Sequence, residues 1–304
     1  RPNIGIRGAT PDRSQKITIL EDGILITPAP YSAPAAYYVP NISRMESIEV
    51  LKGPSAISQG PHTVAGAINF ITKPLEESPN QIDVSFGSDE YYKVQGLFSA
   101  AGEQTAWQMD LNSYGSGGFK ELDSGGDTGF VRSEANFKVQ HDFDTELEQR
   151  FVFKLGWADE DADETYLGLT DSDFLLEPTR RYRASQLANF DTDHLTMHLN
   201  HGVRFSDRLS LNTKVYWHEF NRAWKKLDGF IDGPPLQRVL TSPNLFRDEY
   251  LLLKGERDSD LSDNDTLDVT TNDRSFNSMG VQVTAKYDLA TGPLEHQIAA
   301  GFRY

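Results

Sequence analysis

The sequence predicts two parts: a small mixed α/β domain over residues 1–74, then part of a membrane antiparallel β-barrel over residues 75–304. Three observations predict this. Charge divides at Lys73-Pro74: residues 1–74 carry seven Lys/Arg against five Asp/Glu, and the remainder carries 22 against 40. Patterning changes at the same place, from short apolar stretches between Gly and Pro turns to long segments of strict alternation. Those segments are long for strands, and the connections between them alternate short and long.

In the first part, apolar stretches at 16–20, 47–51 and 67–72 are separated by turn residues, as in a small domain with a few short strands. After Pro79 the period becomes two. Along 130–143 one face reads Val131, Ser133, Ala135, Phe137, Val139, His141 and Phe143, and the other Arg132, Glu134, Asn136, Lys138, Gln140 and Asp142. Such alternation is a strand with one apolar and one polar face. It recurs in about nine segments, near 82–86, 92–100, 106–114, 130–143, 149–158, 193–205, 209–221, 276–288 and 295–304. A soluble strand has roughly 5–6 residues, whereas a tilted membrane strand needs about 9–11. Short turns at 143–146 and 205–208 face long connections at 159–192 and 222–275, the pattern of an outer-membrane barrel with short periplasmic turns. Trp107, Trp157, Trp217 and Trp224 lie in or beside strands, where an aromatic girdle would need them. A soluble antiparallel β-sandwich is the alternative that this pattern leaves open.

Composition removes other classes. The chain has no cysteine, hence no disulfide framework, thiolate metal site or cysteine nucleophile. A net charge of −16 argues against a nucleic-acid surface. No apolar run approaches the length of a transmembrane helix, which leaves a β-barrel open. Gly53-Pro54-Ser55 lacks the Gly-Lys-Ser/Thr ending of a phosphate loop, and no catalytic set stands out. Arg1-Pro2 is no initiator sequence and Tyr304 ends an alternating run, so both ends read as cut and the chain as a piece of a longer one.

Four motifs in the first part carry a family resemblance. They are Ile6-Arg7-Gly8, then Leu20-Glu21-Asp22-Gly23, then Ile48-Glu49-Val50-Leu51-Lys52-Gly53-Pro54, and finally Ala65-Gly66-Ala67-Ile68-Asn69-Phe70-Ile71-Thr72-Lys73. In order and spacing they resemble the plug domain of TonB-dependent outer-membrane receptors, with Ala65-Gly66 in place of the usual Gly-Gly. The proline-rich 28–34, Thr165-Tyr166-Leu167-Gly168-Leu169-Thr170, Arg180-Arg181-Tyr182 and the closing Gly301-Phe302-Arg303-Tyr304 resemble the ferric citrate receptor branch. The resemblance implies a barrel of about 22 strands with the plug in its lumen, of which about nine strands lie here. It implies import of a ferric chelate, of the ferric citrate or siderophore type, with TonB and outer-membrane lipid as partners and no resident cofactor. Rival readings are a receptor of the same family for another cargo, such as a cobalamin, a nickel chelate or a glycan, and a non-transporting outer-membrane barrel.

The resemblance places plug loops 9–15, 27–38 and 59–63 at the outer face. Arg13, Tyr31, Tyr37, Tyr38, Gln59, His62 and Thr63 there offer cations, hydroxyls and amides suited to an anionic chelate. Arg180, Arg181 and Arg183 form a basic cluster in the first long loop. Arg7 and Lys52 resemble basic positions that anchor the plug to carboxylates on the barrel wall, with Lys52 where Arg is usual. His194 and His198 share a strand face that His201 does not, so these three do not converge on a metal. The acidic runs 159–164 and 258–265 read as solvated loop, with a Ca²⁺ site as the rival.

Overall fold

In the computed structural model, residues 3–32, 34–75, 80–262 and 264–304 are described. Readings that touch Arg1, Pro2, Ala33, Pro79 and Asp263 lie outside them. The first part is built on four strands, β1 (Ile17–Glu21), β2 (Ile24–Leu25), β3 (Met45–Lys52) and β4 (Gly66–Thr72), in the order β2-β1-β4-β3. Every residue of β1 is buried, as expected for a β-branched apolar run in a sheet covered on both faces. It pairs parallel with β4 and antiparallel with β2. The β1–β2 turn is Asp22-Gly23, with φ of +49° and +76°, the two positive values a tight hairpin demands and an Asp-Gly pair supplies. The helical parts of this domain are 3₁₀ turns at 12–14, 42–44 and 54–59.

The second part is an antiparallel meander. Its strands are β5 (Gln81–Phe86), β6 (Tyr92–Ala101), β7 (Thr105–Ser116), β9 (Phe130–Phe143), β10 (Glu148–Asp163), β12 (Asn189–Ser206), β13 (Leu209–Phe230), β14 (Leu267–Thr291) and β15 (Leu294–Arg303). Two small strands in the loops, β8 (Glu121–Leu122) and β11 (Arg180–Arg181), pair with each other. The nine long strands form one open sheet with β5 and β15 at its edges. All nine expected strands are present.

The sheet is inverted relative to a soluble protein. Trp107, Phe137, Leu155, Trp157, Met197, Val215 and Met279 on its outer face are exposed, while Gln108, Asp110, Asn112, Glu134, His194, His198, His218 and Arg222 on its inner face are buried. A soluble sandwich would bury the first set; a barrel wall turns it to lipid and keeps a polar lumen. No helix among the described residues is long and apolar enough to cross a membrane.

Three expectations need correction. Strands β10, β12, β13 and β14 run 16, 18, 22 and 25 residues, so the long connections shrink to 164–188 and 231–266. At roughly 3.3 Å per residue these strands outrun a bilayer. Beyond the lipid the outer face needs no apolar residues, so the alternation stops while the strand continues. For the same reason Asp159–Asp163 is strand rather than loop, with Asp159 facing Asp193 and Asp161 facing Asp191 across β10 and β12. Trp224 belongs to no girdle: it shares the parity of His218 and Phe220 and packs in the lumen against Phe190, 5.8 Å between ring centroids.

The two long loops fold onto each other. They contain short helices α1 (Asp171–Leu176), α2 (Leu236–Thr241) and α3 (Arg247–Lys254). Leu167, Tyr182, Val239, Leu252 and Leu253 make one buried cluster with Leu227 and Phe230 of β13. The Tyr182 and Tyr250 hydroxyls both donate to the Asp173 carboxylate, tying one loop to the other.

The plug docks on the wall through an apolar and an ionic contact. Ile17, Ile19, Ile68 and Tyr38 share a buried cluster with Ala158 of β10 and Phe220 of β13. Beside it, Arg44 donates two bonds to Glu21, at 2.9 and 2.6 Å, with both side chains about 4–5% exposed. Lys154 of β10 reaches both Glu21 and Asp22, the latter at 2.8 Å. Lys214 of β13 donates to the Asp22 carbonyl at 2.6 Å, and Lys138 of β9 to Thr72 Oγ1 and the Lys73 carbonyl. Burial alone would raise both carboxyls. Arg44 and Lys154 more than offset it at Glu21, which is held well below the usual range. At Asp22 burial is again opposed by Lys154 and by the Thr72 amide, and the value falls to about 2.

Three predictions follow from this arrangement. In the full-length receptor, cysteines at Ser172 and Asp232 label with an impermeant reagent on intact cells and one at Thr145 does not; the reverse pattern would invert the topology. The chain alone, with two unpaired edges and an exposed apolar outer face, aggregates when refolded without lipid; a monomeric, cooperatively melting preparation would argue against the barrel wall. Because Glu21 and Asp22 have depressed values, their stabilisation of the plug is complete above the unfolded-chain value of about 4 and is lost as pH falls towards about 2. Protection factors of the β1–β2 hairpin amides in the full-length protein should therefore fall in that window; loss of protection between pH 5 and 7 would contradict it.

Candidate ligand-binding cavity

At the outer end of the lumen, plug and wall enclose a cavity of about 540 Å³. Arg13 and Tyr37 enter it from two plug loops. These loops are joined by the Ala36 amide donating to the Arg13 carbonyl at 3.0 Å. Arg13 and Ser14 both have positive φ, +48° and +57°, and the Arg13 amide is held by Asn3 Oδ1 at 2.9 Å. This turn leaves the guanidinium half exposed at the cavity mouth. The Tyr37 hydroxyl, as its hydrogen-bond partner, raises Arg13 above its ordinary value, so it stays charged.

The wall supplies the rest. Arg222, Trp224 and Lys226 follow one another on the lumen face of β13. The Arg222 guanidinium lies 4.6 Å from the Tyr37 ring centroid and donates to Asn272 Oδ1 at 2.6 Å. Lys226 lies 5.7 Å from the Tyr166 ring centroid. Arg274 of β14 is the direct cross-strand partner of Arg222. Like charges placed opposite each other destabilise a sheet, so this pair is costly while no anion lies between them. Asp12 and Glu164 are the carboxylates of the lining, against four cations. Arginines with aromatic faces suit bidentate recognition of carboxylate oxygens on a planar ligand.

Of the residues singled out in the sequence, Arg13 and Tyr37 line this cavity. Tyr38 is buried, its ring 4.3 Å from that of His194 and its hydroxyl 3.3 Å from Arg44. Tyr31, Gln59, His62 and Thr63 belong to another part of the plug surface. His62 Nε2 is 3.4 Å from the Tyr31 carbonyl, and the Gln59 carbonyl accepts from Arg303 of β15 at 2.9 Å. Arg180 makes two bonds to Asp123, and Arg181 donates to the Pro178 carbonyl, so these two cap the β8–β11 pair outside the cavity. Arg7 and Lys52 are exposed and make no ion pair among the described residues.

His194 and His198 face the lumen as expected, with His201 turned the other way onto Gln149. They are joined by His218 of β13, whose Nε2 is 2.7 Å from that of His198. No grouping of three or more His, Asp or Glu among the described residues could hold a metal ion. In the second acidic run, Asp265 accepts from Ser259 Oγ and the Asp260 amide, closing a loop turn.

Arg222, Lys226 and Arg274 were not singled out, and Trp224 was assigned to a girdle. Ending β13 at residue 221 and starting β14 at residue 276 hid their place in the lumen. Continuing the parity of His218 and Phe220 by three more steps puts Arg222, Trp224 and Lys226 on the lumen face.

Residues 1–67 match the family model described as the TonB-dependent receptor plug domain. The ferric citrate transporter FecA in its unliganded form is similar over 99% of this chain and 40% of its own, with 18% identity and a TM-score of 0.74. The open form of the ferric-catecholate import receptor Fiu from E. coli K12 is similar over 99% and 44%, with 15% identity and a TM-score of 0.69. The siderophore receptor PiuA from Acinetobacter baumannii is similar over 98% and 38%, with 14% identity and a TM-score of 0.63. This chain thus spans about two fifths of the length of such structures. At these identities the likeness is one of fold: residues 1–67 match a TonB-dependent receptor plug domain, and the nine-stranded sheet that follows has the fold of part of the barrel in such structures.

Proposed function

We propose that the chain is part of an outer-membrane importer that takes up an anionic ferric chelate, of the citrate or siderophore type, with energy delivered through TonB. The observation that carries this reading is the outer cavity, where Arg13 of the plug joins Arg222, Arg274 and Lys226 of the wall in a chain of net charge −16. A cationic, aromatic-walled cavity bounded by both plug and barrel suits a ligand that has to be sensed by the plug. The apolar outer face, the polar lumen and the resemblance in fold support placement in an outer membrane, in contact with its lipid. Transport rather than catalysis rests on that same likeness. FecA is a ferric citrate transporter and Fiu a ferric-catecholate import receptor; both cargoes are anionic chelates, which is the chemistry the cavity offers.

Uptake of iron-55 presented as ferric citrate, by iron-starved cells carrying the full-length receptor as their sole ferric chelate importer, tests the reading. Uptake should depend on TonB. Arg274→Ala should weaken ferric citrate binding by about tenfold or more, the worth of a hydrogen bond to a charged group. The same change should leave receptor abundance unaltered, because Arg274 is exposed. Equal uptake of a cationic chelate, untouched by Arg274→Ala, would sink the proposal.

A further inference from the structure

The ionic contact between plug and wall has a graded exposure. Side-chain exposure is 4–5% at Arg44 and Glu21, 12% at Lys154 and 30% at Asp22. The wetter end opens towards a second cavity, of about 810 Å³, on the side of the short turns. Lys214, which holds the Asp22 carbonyl, lines that cavity together with Arg150, Asn212 and Gln282. The plug contributes the carboxylates and the wall contributes the lysines, whereas Arg7 and Lys52 are unpaired among the described residues.

A dry ion pair is strong against loss of one partner yet weak in net terms, because separating its members in water restores the hydration each gave up on burial. An apolar contact of the same size gains nothing when wetted. We propose that Glu21, Asp22, Arg44 and Lys154 form a hydration-released latch. It holds the plug against β10 while dry, and opens from the Asp22 end when water enters from the short-turn side. Asp22 parts from Lys154 and Lys214 first, and the Glu21–Arg44 pair is exposed after it. Arg44 lies within the plug, so Glu21 keeps a partner after Lys154 leaves, and the plug moves off with its own charges matched. Lys154 is then the positioning residue of the wall. The proposal rests on the reading above only in assuming that the plug is displaced during transport.

The test uses the full-length receptor, with its amount in the outer membrane checked by heat-modifiable mobility. Lys154→Met should increase entry of vancomycin, which is too large for general porins, by about tenfold, because it leaves an unmatched buried carboxylate. Asp22→Asn, which spares the Glu21–Arg44 pair, should raise entry by less and serves as the measure if Lys154→Met fails to assemble. The decisive variant is apolar at the dry end and neutral at the wet one: Glu21→Met, Arg44→Met and Lys154→Met combined with Asp22→Asn, which leaves no unmatched charge. It should seal as well as the wild type, yet release the plug at least about tenfold more slowly when its N-terminal segment is pulled under constant load, since dry apolar replacements of such triads gain roughly 1–4 kcal/mol. Wild-type vancomycin exclusion by both single variants would overturn the latch, and so would plug release of the combined variant at the wild-type rate. Neither readout involves an iron chelate, so a failure of ferric citrate uptake would count against the cargo and leave the latch standing.

Discussion

The lumen of this sheet is lined by charges and amides that lie buried, and every other feature answers to that constraint. A wall whose inner face carries Glu134, Lys138, Lys154, His198 and Arg222 cannot close on itself dry, because unmatched buried charge is expensive. The plug resolves this locally. Its Glu21 and Asp22 meet Lys154, its backbone carbonyls at Asp22, Val39 and Lys73 accept from Lys214, Arg132 and Lys138, and its apolar β1 and β4 residues meet Ala158 and Phe220. Plug and wall are therefore complementary in charge as well as shape.

The same logic separates the two ends of the lumen. Around β1 the cations of the wall are matched by plug carboxylates, and the contact is closed. At the outer end Arg222 faces Arg274 with too few carboxylates to match them and Arg13, and the space is left open. The closed layer is matched in charge and the open one is not. Between them lie Tyr38, His194, His198 and His218, packed ring against ring.

Above the cavity the long loops form a folded layer of their own. Their core of Leu167, Val239, Leu252 and Leu253 rests on the outer end of β13, so the strand that carries Arg222 and Trp224 also supports the roof above them. The three short helices there had no signal in the periodicity. Six to eight residues give barely two turns, and short helices gain their stability from packing rather than propensity.

The sequence by itself determined the succession of a small plug and a wall of nine strands, and the polarity of that wall. These depend on local chemistry: period two and strand length. It also placed Arg13 and Tyr37 at the outer face through family resemblance. Only the tertiary structure decided where the strands end, because outside the lipid a strand loses the apolar contrast that makes it visible. That one limit concealed Arg222, Lys226 and Arg274 and misplaced Trp224. Tertiary structure also decided partners. Glu21 in a turn motif and Lys154 on a strand are 133 residues apart, and nothing in either local pattern says that they meet. Their pairing, like the burial of Tyr38 and the diversion of Arg180 to Asp123, follows from how the plug sits against the wall, which is a matter of shape and charge matching between two surfaces.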